Sequence, residues 1–137
     1  MATRHQVREA VVSLLYAYDI GNKEIGKFED EILEERKIRN RQKDFALELI
    51  EGVLKNIDTI DSQIDKHLKE WRLNEIGHLE RAILRLGTYE LMNKKNDDAV
   101  VINEAIELSK TLCSDNVPKF INGVLGSIQK DLHSQGE

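Results

Sequence analysis

Residues 78–94 read HLERAILRLGTYELMNK. When this stretch is placed on a helix, its apolar side chains cover most of the circumference and leave little polar surface. A helix that is apolar nearly all round is expected to be buried by its neighbours. The stretch therefore predicts a helical bundle with residues 78–94 at its centre.

Amphipathic helices are predicted on both sides of this segment, because apolar residues recur there every three or four positions. These helices span about residues 3–20, 23–37, 41–71, 99–112 and 118–132. The apolar positions of 41–71 run as far as Trp71, and a break near Asp58 stays open because Asp and Thr favour caps. With one Pro and 8 Gly there are few turn residues for β-hairpins. We expect an all-α fold of about seven helices.

The length of 137 residues fits a single domain, residues 1–137. Gly52-Val53-Leu54 is echoed by Gly123-Val124-Leu125 at a similar place further along the chain. The echo suggests two small helical bundles packed together, an N-terminal half of about 1–70 and a C-terminal half of about 71–137.

Composition argues against several classes of protein. The net charge of −5 argues against a general nucleic-acid binder. Cys113 is the only cysteine, so an intramolecular disulfide and a thiolate zinc cluster are excluded. No histidine pair has metal-ligand spacing, and no glycine-rich phosphate loop or nucleophile elbow occurs. We expect no cofactor, no metal, no catalysis, no membrane span and a cytoplasmic location.

Three surface features stand out from this background. Arg4, His5, Arg8 and Tyr16 share one arc of the first helix, and guanidinium groups one turn apart can reach adjacent phosphates. The alternative is an ordinary solvated helix face. Lys119-Phe120 starts the last helix, where an aromatic ring can stack on a base or simply pack on a neighbouring helix.

The third feature is Glu80, whose carboxylate near the edge of the central helix would suit a basic protein partner. A run of cations also occurs between the second and third helices, and it is interpreted as a solvated turn. Its members are Arg36, Lys37, Arg39, Arg41 and Lys43.

Blocks of sequence in a fixed order resemble the NusB family of bacterial transcription antitermination factors. The most specific are Val100-Val101-Ile102-Asn103-Glu104-Ala105-Ile106-Glu107-Leu108-Ser109-Lys110 and Lys119-Phe120-Ile121-Asn122-Gly123-Val124-Leu125. Trp71-Arg72-Leu73, Glu80-Arg81-Ala82-Ile83-Leu84-Arg85 and Tyr89-Glu90-Leu91 form a middle block, and Arg8-Glu9-Ala10 with Leu15-Tyr16 lies in the first helix. The resemblance runs from about Arg4 to Ile128.

The resemblance implies a function and two partners. Proteins of this family bind the boxA element of nascent ribosomal RNA, best as a heterodimer with the ribosomal protein NusE. The complex joins elongating RNA polymerase and opposes premature termination. The RNA-binding residues implied here are Arg4, His5, Gln6, Arg8, Asn116, Lys119 and Phe120, and those facing NusE are Tyr16 and Glu80.

The first helix departs from the family pattern, because His5 and Gln6 stand where relatives often carry arginines. RNA bound in a groove between the first and last helices is therefore expected to be held weakly without NusE. The competing hypothesis is a helical adaptor that binds proteins and never contacts RNA. An RNA-modifying enzyme is disfavoured because no cofactor loop is present.

Overall fold

The structure, a computed structural model, describes residues 2–21 and 25–135, except for the side chains of residues 25, 27 and 28. Seven α-helices and one short 3-10 turn, Leu73–Glu75, make up the described part, which contains no strand. The helices are α1 Arg4–Asp19, α2 Ile25–Glu35, α3 Arg41–Lys55, α4 Ile57–Asp65, α5 His78–Asn93, α6 Asp98–Leu112 and α7 Val117–Gln135. The predicted all-α fold of about seven helices is confirmed.

Helix α5 lies at the centre of the bundle, as the sequence predicts. It packs against α1, α3, α4, α6 and α7. Residues 82–88 are buried without interruption, which uses the full circumference of the helix. The division into halves near residue 70 stays a prediction, and α5 contacts helices from both sides of it. No described helix combines the length and apolarity that a membrane span needs.

The predicted helix of residues 41–71 is interrupted at Asn56, two positions before Asp58. The Asn56 backbone N–H donates to the Gly52 carbonyl at 3.2 Å, and its side-chain amide donates to the same oxygen at 2.8 Å. Helix α4 then ends at Asp65. The prediction that Trp71 continues the apolar face is wrong, because Trp71 lies beyond the helix and is 55% exposed.

Helix α1 is buried on more than one side. A capping box starts it: the Gln6 N–H donates to Thr3 Oγ1 at 3.1 Å, and the Thr3 N–H donates to Gln6 Oε1 at 2.9 Å. The helix packs against α2, α3 and α5. Arg8 and Val12 are therefore buried, although the helical wheel places both on the outer arc.

The echoed glycines have different surroundings. A Cβ on Gly52 would lie 2.1 Å from the Tyr89 ring, whereas a Cβ on Gly123 would meet nothing within 4 Å. Gly52 thus permits α3 and α5 to approach each other, and Gly123 has no such role.

Candidate functional site

Arg4 is the exposed cation at the start of α1. Its guanidinium carbon lies 4.2 Å from the centroid of the Phe45 ring, on α3. A guanidinium over an aromatic face is attracted by the negative charge of that face. Phe45 therefore orients Arg4 while leaving its N–H groups available to a ligand. Gln6 is exposed as well, although its side-chain oxygen is engaged in the capping box.

Arg8 does not belong to this exposed surface, which corrects the sequence prediction of two neighbouring guanidinium groups. Its Nε and Nη2 donate to the two oxygens of Glu90, on α5, at 2.9 Å each. The Arg8 and Glu90 side chains are 3% and 2% exposed. A bidentate pair at this depth joins α1 to α5, so the geometry gives Arg8 a structural role.

His5 is half-buried and faces a carboxylate instead of open solvent. Its Nδ1 lies 2.6 Å from Glu104 Oε2, on α6. This contact connects the start of α1 to α6. Among the sequence-predicted residues of α1, Arg4 and Gln6 are thus the two that are exposed.

A cleft of about 390 Å³ lies beside the start of α7. Phe120 and Asn116, both predicted from sequence, line this cleft together with the exposed Trp71. Lys119 is exposed at the same helix start. The cleft thus holds two aromatic side chains and an amide, and Lys119 lies outside its lining. Aromatic rings can stack on a base, and a nearby lysine can hold its phosphate.

Glu80 lines the same cleft, as do Glu75, Ile76, Gly77 and Val117. Burial, with the nearby Glu80 carboxylate, raises the pKa of the Cys113 thiol to about 12. The Cys113 thiol is therefore protonated at neutral pH. The predicted partner residue Glu80 and the predicted RNA residue Phe120 share one concave surface.

Tyr16 lies next to this end of α5, because its ring packs edge-on against His78 with 6.2 Å between ring centroids. One turn further along α1, Asp19 faces His78, Arg81 and Arg85 at 2.6, 2.9 and 3.2 Å. Burial alone would raise the pKa of Asp19. The hydrogen bond with His78 and the charges of Arg85 and Arg81 outweigh burial, so that pKa lies below 3.8.

The predicted groove between the first and last helices differs from what is observed. Helices α1 and α5 run antiparallel, because Arg8 contacts Glu90 whereas Asp19 contacts His78. Arg4 is therefore near the end of α5, and the cleft is near its start. The wall that faces Phe120 is formed by residues 71–80.

A sequence model described as the NusB family matches residues 5–130. The chain belongs to the NusB family. It is 61% identical over 132 residues to the transcription antitermination protein NusB of Nitratiruptor sp., covering 96% of this chain and 95% of that protein. The NusB of Wolinella succinogenes is also 61% identical, with 96% and 98% covered.

Solved structures of NusB proteins share the fold. NusB from T. maritima superposes with a TM-score of 0.88 at 35% identity, covering 95% of this chain and 92% of that one. A crystal structure of antitermination factors NusB and NusE in complex with dsRNA gives 0.85 at 32% identity, covering 93% and 96%. The resemblance stated from sequence is confirmed.

Two residues of the site were missed or misjudged from sequence. Phe45 was not singled out, although its ring carries Arg4. Trp71 was placed among the apolar helix positions, although it lines the cleft. The apolar periodicity continues across Asn56 and past the end of α4 at Asp65, so the spacing alone gave no sign that Trp71 is exposed.

Proposed function

We propose that this chain is a transcription antitermination factor that binds the boxA element of nascent ribosomal RNA together with NusE. The observation that carries the proposal is its 61% identity, over 96% of the chain, to proteins named transcription antitermination protein NusB. In this role the chain and NusE join the elongation complex, and RNA polymerase avoids premature termination.

The RNA contacts are divided between the two ends of α5. Arg4 and Gln6, at one end, hold the sugar-phosphate backbone, while Asn116, Lys119 and Phe120 receive an unstacked base at the other. Arg4 lies about 18 Å along the α1 axis from Tyr16, at 1.5 Å per residue. A single strand of several nucleotides spans this distance, which suits recognition of an unpaired RNA element.

In the proposed complex, NusE contacts the cleft end of α5 through Tyr16 and Glu80. Tyr16 is held by His78, and Glu80 presents a carboxylate beside Phe120. A basic protein seated here would pair with Glu80 and border the base that stacks on Phe120. NusE would therefore complete the RNA site, which agrees with the small number of exposed cations on α1.

The proposed activity is binding without catalysis, in the cytoplasm. The described residues hold no group of three or more His, Cys, Asp or Glu side chains arranged for a metal ion. Transcription factors of this kind act by assembling on the nascent transcript, so the proposal requires surfaces for RNA and protein and no reaction centre.

A helical adaptor that binds proteins alone is the second candidate. The burial of Arg8 and the contact between His5 and Glu104 favour it, because they reduce the positive charge that α1 offers to phosphates. A transcription assay separates the two candidates. A boxA-containing template should give more read-through with the chain and NusE than a scrambled template, and equal read-through would favour the adaptor.

A further inference from the structure

Residues 36–43, which comprise the connection between α2 and α3 and the first turn of α3, read RKIRNRQK and carry five cations. We call this segment the basic loop. The sequence alone favours a solvated turn here. The structure gives the loop a defined conformation and places it beside the start of α1.

The first half of the basic loop closes α2 with two backbone hydrogen bonds. The Ile38 N–H donates to the Leu33 carbonyl at 2.8 Å, and the Lys37 N–H donates to the Glu34 carbonyl at 3.0 Å. This is a Schellman motif. Ile38 and Leu33 are 1% and 0% exposed, and they supply the apolar contact that accompanies the motif. The loop is therefore anchored.

Lys37 occupies the left-handed position of this motif, with φ 58°. Glycine is the usual residue there, because a Cβ in the left-handed region is crowded by the following carbonyl oxygen. A lysine at this position carries strain that glycine would avoid. Replacing Lys37 by glycine is therefore expected to relieve strain in the folded chain.

The basic loop adjoins the residues of α1 that are proposed to bind RNA. The Gln42 side-chain amide donates to the carbonyl of Ala2, two positions before α1 begins, and this contact ties the loop to the start of α1. A cleft of about 460 Å³ between them is lined by Ala2, Gln6, Glu9, Arg36, Lys37 and Ile38. Gln6 thus belongs to both surfaces, and Phe45, which carries Arg4, follows the loop in α3.

Part of the loop's charge is unneutralised. Arg39 pairs with Glu34 at 2.5 Å, and Lys43 pairs with Asp30 at 3.1 Å. The other three cations, Arg36, Lys37 and Arg41, are exposed and have no carboxylate within 4.0 Å in the described part of the chain. The Arg36 guanidinium donates to Ser13 Oγ at 3.4 Å, and Glu9 is the one carboxylate lining the cleft.

We propose that the basic loop binds the phosphates of the RNA strand that the start of α1 contacts, through Arg36, Lys37 and Arg41. This inference rests on the proposed function. With Arg8 withdrawn into the interior, α1 offers Arg4 alone as an exposed cation among its predicted contacts. The loop supplies the charge that α1 lacks and extends the RNA surface from Gln6 across the cleft.

The test measures boxA binding by fluorescence anisotropy at several salt concentrations, for the chain in complex with NusE. Arg36→Gln/Lys37→Gln should weaken binding by roughly fivefold per lost phosphate contact at 0.1 M salt, given a slope near 0.7 per contact for single strands. The slope of log Kd against log salt should fall by about 1.4 for two contacts. Lys55→Gln, an exposed lysine at the far end of α3, should change neither quantity.

Lys37→Gly distinguishes a binding role from a structural one. The glycine removes the positive charge and relieves the strain of the left-handed backbone conformation. The melting temperature of the variant should therefore equal or exceed that of the native chain, while its affinity for boxA falls. A scrambled strand should lose the same factor, because phosphate contacts carry no sequence information. Native affinity and salt slope in both loop variants would overturn the inference. If the native complex shows no preference for boxA over the scrambled strand, the proposed function itself fails.

Discussion

The ion pair between Arg8 and Glu90 allows the sharpest test of how α1 is built. Arg8→Met removes a guanidinium that donates two hydrogen bonds of 2.9 Å and leaves Glu90, 2% exposed, with the Asn96 amide at 3.3 Å. A buried charge that loses its partner costs about 3–5 kcal/mol. For a chain of this size such a loss lowers the melting temperature by roughly 10–20 °C.

Urea unfolding followed by circular dichroism measures this cost for Arg8→Met, Glu90→Leu and the double variant. The double variant should unfold within about 1 kcal/mol of the native chain or be more stable, because apolar side chains of similar volume replace a desolvated pair. A loss below about 1 kcal/mol for Arg8→Met would refute the buried pair. If the folded double variant lost boxA binding, Arg8 would be assigned to the RNA-binding residues.

Four further predictions follow from the cleft, the acidic network and the helix contacts. The folded-state pKa of Asp19 lies below its unfolded value, so its stabilisation is complete above about pH 4 and is lost as the pH falls through the folded pKa. Asp19→Asn should thus flatten the acid side of a pH–stability curve, and an unchanged curve would contradict the network. Gly52→Ala forces a Cβ to 2.1 Å from the Tyr89 ring and should cost about 1–3 kcal/mol in chemical unfolding. Gly123→Ala, with open space around it, should be neutral or stabilising, and similar losses for both would refute the close approach of α3 and α5. Phe120→Ala should weaken boxA binding by about 1–3 kcal/mol if the ring stacks on a base. An unchanged affinity in the folded variant would make Phe120 a packing residue. Glu80→Lys should reduce association with NusE in a pull-down more than it reduces the melting temperature, and native levels of complex would refute the assignment of Glu80.

The fold was largely predictable because its main signal is local. Apolar residues cover most of the circumference of α5, and the three-and-four spacing of α1, α6 and α7 is visible within each segment. The end of the third helix was less predictable. The backbone departs from helical geometry at Asn56, with φ −110° and ψ 20°, whereas the apolar spacing continues across this break.

The site was predicted less completely, because exposure depends on partners that are distant in sequence. Arg8 meets Glu90 82 positions away, and His5 meets Glu104 99 positions away. A helical wheel assumes one buried face, yet α1 is covered by α2, α3 and α5. The cleft beside Phe120 likewise depends on where a helix ends. Trp71 lines this cleft because α4 ends at Asp65 and leaves Trp71 outside the helix.

The most direct test of the central proposal is a titration of labelled boxA RNA and a scrambled strand of equal length. Each is measured with the chain alone and with saturating NusE. The account predicts weak binding by the chain alone, and tighter binding with a clear preference for boxA once NusE is present. Equal affinity for both strands under every condition would contradict it.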